Sequence, residues 1–181
     1  MIASIPIAAA TPADAEAIAT IYAHYVEHST ATFETEPPDA AEMAARIRKV
    51  QDAGCPWLVA SRADGEVAGY AYAFRYHPRE GYRYSCETSI YVRHDSKRQG
   101  VGTALIEALI ERCEAIGFRQ AFAVIAGTEP ASVVLHARAG FRPCGTLEAA
   151  GWKHGKWIDV FHMQRKLGAG QDRPPPEGDM L

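Results

Sequence analysis

The stretch Lys97-Arg98-Gln99-Gly100-Val101-Gly102 carries the clearest chemistry in this chain. Two glycines let a backbone approach a ligand without interference from Cβ. A helix following directly would add unpaired N–H groups and the positive end of its dipole. Such a turn binds anions and suits a pyrophosphate, with Lys97 and Arg98 adding positive charge at its rim. Other phosphate motifs fit less well. A P-loop needs Gly-Lys-Ser/Thr, whereas Gly102 is followed directly by Thr103. A dinucleotide fingerprint needs a third glycine inside a βαβ unit.

The elements that position this stretch follow from periodicity. Residues 5–9 read as a strand. Thr11-Pro12-Ala13-Asp14 reads as a helix start, and Ile18, Ile21, Tyr22, Tyr25 and Val26 continue it at helical spacing. A loop over 29–38 precedes a second helix over 39–53, capped by Asp39 and closed by Gly54. Strands follow at 57–61, 67–76 and 82–92. The turn signal Asp64-Gly65 separates the first two, and residues 79–81 separate the last two, so the three form an antiparallel meander. A helix over 100–116, a strand over 120–126 and a short helix over 130–139 come next. Strands over 141–147 and 157–165 close the domain, joined by a long loop. Residues 168–181 hold Pro174-Pro175-Pro176 and few apolar residues, which predicts a disordered tail after a single domain over 1–167. This order predicts an α+β fold, a mixed central sheet flanked by about four helices.

Composition excludes several classes. Nineteen basic against twenty-two acidic residues give a net charge of −3, so no overall basic field attracts nucleic acid. No apolar run is long enough to span a bilayer. Residues 1–10 are apolar but lack the Lys or Arg of a signal peptide. Cys55, Cys86, Cys113 and Cys144 are widely spaced, which fits reduced thiols in a cytoplasmic protein rather than zinc ligands. His24 and His28 have the four-residue spacing of a metal pair but no evident third ligand, so no metal is expected.

Strand, basic residue, Gly-x-Gly, helix resembles the pyrophosphate loop of the GNAT acetyltransferases. Lys97 stands where that family usually has Arg or Gln. The resemblance extends over about residues 4–167 and implies the GNAT fold and acetyl-CoA as acetyl donor. Ile90, Tyr91 and Val92 would pair with the pantetheine arm like an added strand. Lys97, Arg98, Gln99, Gly100, Val101, Gly102 and Thr103 would hold the pyrophosphate. Ser132 would contact the pantetheine. Glu129 stands where the family often has Asn.

Acetyl transfer to an amine needs a base, an oxyanion donor and a proton for the leaving thiolate. Glu87, just upstream of the presumed pantetheine strand, is the candidate base. His136 occupies the place of the family's usual Tyr and is the candidate acid. A backbone N–H near Tyr91 and Val92 is the expected oxyanion donor. Residues 32–37, Glu87 to Val92, Leu135-His136 and Gly151 to Asp159 resemble the branch acting on phosphinothricin, methionine sulfone and methionine sulfoximine. That branch acetylates the α-amino group of a small amino acid. Arg75 and Arg83 are candidate ligands for its carboxylate or phosphinyl group, and Phe33 a candidate wall. The branch is typically dimeric, with Trp152 and Trp157 as candidate interface anchors; Lys153 and Asp159 are expected to order the last hairpin. Two alternatives remain: a GNAT for a polyamine, aminoglycoside or protein N-terminus, and an acyl-CoA-binding module without catalysis.

Overall fold

The computed structural model describes residues 5–127 and 129–175. Seven strands form one sheet: β1 (Ile7–Ala9), β2 (Trp57–Ser61), β3 (Val67–Arg75), β4 (Ser85–Val92), β5 (Gln120–Ala126), β6 (Arg142–Lys153) and β7 (Lys156–Lys166). Their spatial order is β1-β2-β3-β4-β5-β7-β6. Every neighbouring pair is antiparallel except β4 with β5. Four helices cover it: α1 (Ala15–His28), α2 (Ala40–Asp52), α3 (Val101–Ala115) and α4 (Pro130–Arg138). The mixed sheet with four helices is the α+β arrangement that the sequence predicts.

The two sheet faces differ in bulk. Register pairs Tyr70 with Tyr91, Tyr72 with Ser89 and Phe74 with Glu87, so these side chains share one face. Tyr22 and Tyr25 of α1 pack edge-on against Tyr91, at ring distances of 5.1 and 5.2 Å. The other face carries Gly69, Ala71 and Ala73, which let α3 approach closely. A Cβ on Gly69 would lie 2.8 Å from the Tyr91 carbonyl and 3.1 Å from Val101. Leu105, Ile106 and Leu109 of α3 are fully buried there.

Two segments differ from the sequence expectation. The strand read over 82–92 starts at Ser85, because residues Glu80–Tyr82 wind into a 3₁₀ turn. The long loop expected between the last strands is instead β-structure, closed by a two-residue turn. His154 and Gly155 both take positive φ, at 50° and 72°, as a tight hairpin of primed type requires. An irregularity between Leu147 and Gly151 hides the strand from a period-of-two reading. Ala149 sits there at φ 49°, and its N–H donates to Asp159 Oδ1 at 2.8 Å. Asp159 thereby orders the hairpin.

The expected disordered tail falls partly on residues 176–181, outside the described residues. Residues 168–172 turn beside the buried Leu167. The Gly170 N–H donates to the Leu167 carbonyl at 2.8 Å, and Asp172 pairs with Lys166.

Candidate active site

β4 pairs with β5 only from Ser85 to Thr88, yet β4 runs on to Val92 and β5 to Ala126. The strands therefore separate after Thr88. The peptide direction along β4 follows from its bonds to β3. Tyr76 N–H donates to the Ser85 carbonyl and Arg93 N–H to the Ala68 carbonyl, so the odd-numbered residues bond β3. Ile90 and Val92 then turn their peptide groups towards the opening left by β5. A strand edge opened in this way accepts an added strand. The expected oxyanion donor near Tyr91 and Val92 is not free here. The Val92 N–H meets the Tyr25 hydroxyl at 3.3 Å, and that hydroxyl donates to the Val92 carbonyl at 2.6 Å.

The anion turn lies at the start of α3. Gly100 is its N-cap at φ 85° and Arg98 has φ 62°. The Gly100 carbonyl accepts from Ala104, which leaves the N–H groups of Val101, Gly102 and Thr103 at the helix start. A left-handed residue followed by helical ones points successive N–H groups at one spot, a nest for an anion. Gln99 steadies the turn by donating to the Asp95 carbonyl at 2.9 Å. Lys97 places its ammonium 5.1 Å from the centre of the Tyr25 ring. Gly102 faces Leu135 of α4 closely, since a Cβ there would lie 3.3 Å from Leu135 Cδ2.

On the aromatic face beside the opening lies a cavity of about 490 Å³. Glu87 and Ser89 of β4 line it, with Trp57, Tyr72, Phe74 and Arg75 from β2 and β3. Arg46, Lys49 and Glu42 line it from α2. Burial pushes the Glu87 carboxyl above its ordinary range. Arg75 stands in the cavity wall. Arg83 does not line this cavity. It turns to Glu80, accepted by that carbonyl at 3.4 Å, and lies over the Tyr84 ring. Phe33 also lies outside the lining and rests on Gly151, where a Cβ would meet its ring at 2.1 Å.

Arg46 and Lys49 are cavity cations that the sequence reading missed. Their signal was available: they sit three apart, flanking the buried Met43, Ile47 and Val50 of an amphipathic helix. Arg46 is strongly held. It donates to both Glu34 oxygens, at 2.7 and 3.1 Å, and to Glu42 at 2.9 Å.

His136 is buried on α4, edge-on to Phe141. Its Nδ1 lies 2.8 Å from the Ser132 carbonyl, which can only accept, so Nδ1 carries the proton. Nε2 is buried without a partner among the described residues, and burial lowers the pKa of the ring. A neutral imidazole with this tautomer can take a proton at Nε2 but has none there to give. The expected acid role is therefore not supported by this arrangement. Ser132 shares its hydroxyl with the same ring at 3.4 Å. Glu129 accepts from the Ser29 hydroxyl at 3.0 Å. His24 packs on His28 and His94, and no cluster of metal-ligating residues occurs among the described residues.

Residues 7–162 match the sequence family described as an acetyltransferase (GNAT) domain. The chain belongs to the GNAT acetyltransferase family. It is 49% identical over 163 residues to a phosphinothricin N-acetyltransferase of Alcaligenes faecalis, covering 90% of this chain and 82% of the relative. It is 40% identical over 162 residues to an L-methionine sulfoximine/L-methionine sulfone acetyltransferase of Pseudomonas aeruginosa, covering 90% and 94%. A solved GNAT phosphinothricin acetyltransferase from Sinorhizobium meliloti, in complex with AcCoA, superposes with a TM-score of 0.94. That pair is 42% identical and covers 98% of this chain and 95% of the other. The opened strands and the glycine turn are the features that fit an acyl-CoA: the Ile90 peptide facing the opening for an amide-bearing arm, and a nest for its pyrophosphate.

Proposed function

We propose that this GNAT enzyme transfers the acetyl group of acetyl-CoA to the α-amino group of a small amino acid with a compact, strongly polar side-chain centre. Phosphinothricin, methionine sulfoximine and methionine sulfone are the candidate substrates. The single observation that carries this reading is Glu87, half-buried in a cation-lined cavity beside the opened strands. Acetyl-CoA supplies the acetyl group already activated as a thioester. Ile90 and the start of α3 would hold it. Lys97, Arg98, Gln99 and Ser132 stand around that path.

Glu87 would take the proton from the substrate ammonium, since only the free amine is a nucleophile. A carboxyl raised by burial is a stronger base than an ordinary one and a better match to the amine. Arg75, Lys49 and Arg46 would attract the substrate carboxylate and its second polar group. Lys49 and Arg75 in the same wall disfavour polyamines and aminoglycosides, which would bring positive charge to positive charge. A carboxyl base in the cavity wall disfavours a module that only binds acyl-CoA.

The enzyme would act as a homodimer. Trp152 and Trp157 are 57% and 65% exposed, stack edge-on at 5.3 Å and lie on the β6–β7 hairpin at the end of the sheet. Exposed aromatic pairs of this kind anchor interfaces. Four unpaired cysteines support a reducing, cytoplasmic setting. No helix among the described residues is long and apolar enough to cross a membrane.

A thiol-release assay with acetyl-CoA tests the reading. Turnover is expected with at least one of the three amino acids and none with spermidine or an aminoglycoside. No turnover with any of the three would refute the substrate assignment.

A further inference from the structure

Lys153 is a buried lysine that the proposed chemistry does not use. It ends β6 beside the hairpin turn and is 4% exposed. Its Nζ donates to the Ser29 carbonyl at 2.9 Å and the Thr32 carbonyl at 2.8 Å. Burial lowers its pKa, so the fold bears a cost to keep this ammonium in place. Ser29 is the residue that caps the end of α1, and a cation there also meets the negative end of the helix dipole.

The loop that Lys153 grips reaches the cavity by a short chain of bonds. The Thr32 hydroxyl meets the Tyr22 hydroxyl at 2.7 Å and accepts from the Glu34 N–H at 3.2 Å. Tyr22 also donates to Glu34 Oε1 at 2.8 Å. Glu34 in turn holds the Arg46 guanidinium in bidentate fashion. Arg46 lines the cavity with Glu87. The same loop is wedged from the hairpin side, where Phe33 sits in the space that only a glycine at 151 leaves open. Among the described residues this series of bonds runs to Arg46 and not to the glycine turn of α3; the loop's one bond towards α4 is from the Ser29 hydroxyl to Glu129 at 3.0 Å.

We propose that Lys153 is a positioning residue for the amino-acid substrate: by fastening residues 29–34 to the β6–β7 hairpin, it sets Glu34 and, through it, the direction of Arg46. This rests on the assignment of the cavity to an amino acid. The consequence is a split between the two substrates. Without the ammonium, the loop loses two charge-assisted bonds and Arg46 loses its fixed aim. Acetyl-CoA should be bound as before.

The test compares wild type with Lys153→Met, which keeps the apolar stem and removes the donors. The KM for the amino acid should rise about ten- to hundredfold, while kcat and the KM for acetyl-CoA change less than about threefold. Lys153→Cys in a Cys144→Ser background, alkylated with 2-bromoethylamine, rebuilds an ammonium of lysine length and should restore the amino-acid KM. Glu34→Gln, which leaves Lys153 intact and weakens the tether on Arg46, should show the same split. Hydrogen exchange over residues 29–34 should accelerate in Lys153→Met whether or not turnover is seen, so this arm stands even if the wild type acetylates none of the amino acids tested. An unchanged amino-acid KM in folded Lys153→Met overturns the proposal. So does unchanged exchange at 29–34. If Lys153→Met fails to fold, an unchanged amino-acid KM in Glu34→Gln overturns it instead.

Discussion

Replacing Glu87 with Gln should make the enzyme slower and more stable at once. The side chain keeps its shape and its place in the cavity wall but can no longer accept a proton. Loss of a general base typically costs about 10²- to 10⁴-fold in rate. That corresponds to about 3–5.5 kcal/mol of barrier. The stability effect has the opposite sign. Burial raises the Glu87 carboxyl above its unfolded value. The folded state therefore binds the proton more tightly than the unfolded chain. Stability falls as pH climbs from the ordinary carboxylate value through the raised one, and stays lowered above it. Glutamine has no charge to desolvate and escapes this loss. Tm for Glu87→Gln should exceed that of wild type near pH ~7.5, and the gap should close as pH approaches about 4. The assay is thiol release from acetyl-CoA at saturating amino acid, with Tm recorded across the same pH series. Retention of more than about a third of wild-type kcat would refute the base assignment, since the effect would lie far below the range for a lost base. A lower Tm for the variant at neutral pH would refute the reasoning about burial.

Gly100→Ala forces a side chain into φ 85°, which should cost about 1–2 kcal/mol and lower Tm by about 2–4 °C for each kcal/mol. Its KM for acetyl-CoA should rise with little change in the amino-acid KM, as read by steady-state kinetics. His136 has a lowered pKa, so the unfolded chain gains its proton first and wild-type stability falls as pH drops below about 6.5. His136→Gln should lose less Tm over that window, and its kcat should not show the loss expected of a missing acid. Trp152→Ser combined with Trp157→Ser should shift the sedimentation of the protein from dimer towards monomer.

The sequence and the structure agree most where local patterns decide. The bounds of α2, α3 and α4 differ from the sequence reading by about one residue, because Asp39, Gly100, Pro130 and the glycines after each helix are strong local signals. The β6–β7 hairpin was misread because the irregularity near Ala149 breaks its alternation, although His154-Gly155 is itself a turn signal. The site divides along similar lines. The placement of Glu87 and Arg75 in the cavity wall and of the Gly100 turn at a helix start follows from strand position and glycine spacing, which are properties of one segment. The placement of Arg46 and Lys49 does not, since it depends on α2 packing over a sheet formed largely by later residues. Tyr25 looked like a core residue of α1 by spacing, and it is one. Only the tertiary contact brings its hydroxyl to the Val92 peptide, 67 positions away.

In the proposed reading, β4 would let both substrates meet on a small surface. A strand sends alternate side chains to opposite faces and alternate peptides to opposite edges. In β4 the odd residues give their peptides to β3 and their side chains, Glu87 and Ser89 among them, to the cavity. The even residues Ile90 and Val92 turn their peptides to the side from which β5 has withdrawn. In the proposed reading, one strand would offer the Glu87 carboxyl to an amine on its face and the Ile90 peptide to an acyl donor at its edge, three residues apart. The distance between them is set by backbone geometry rather than by flexible side chains. The same argument explains why β3 and β4 must stay in register along their whole length. A slip of one residue would send Glu87 to the face packed by α3 and bury its carboxyl among Leu105 and its neighbours.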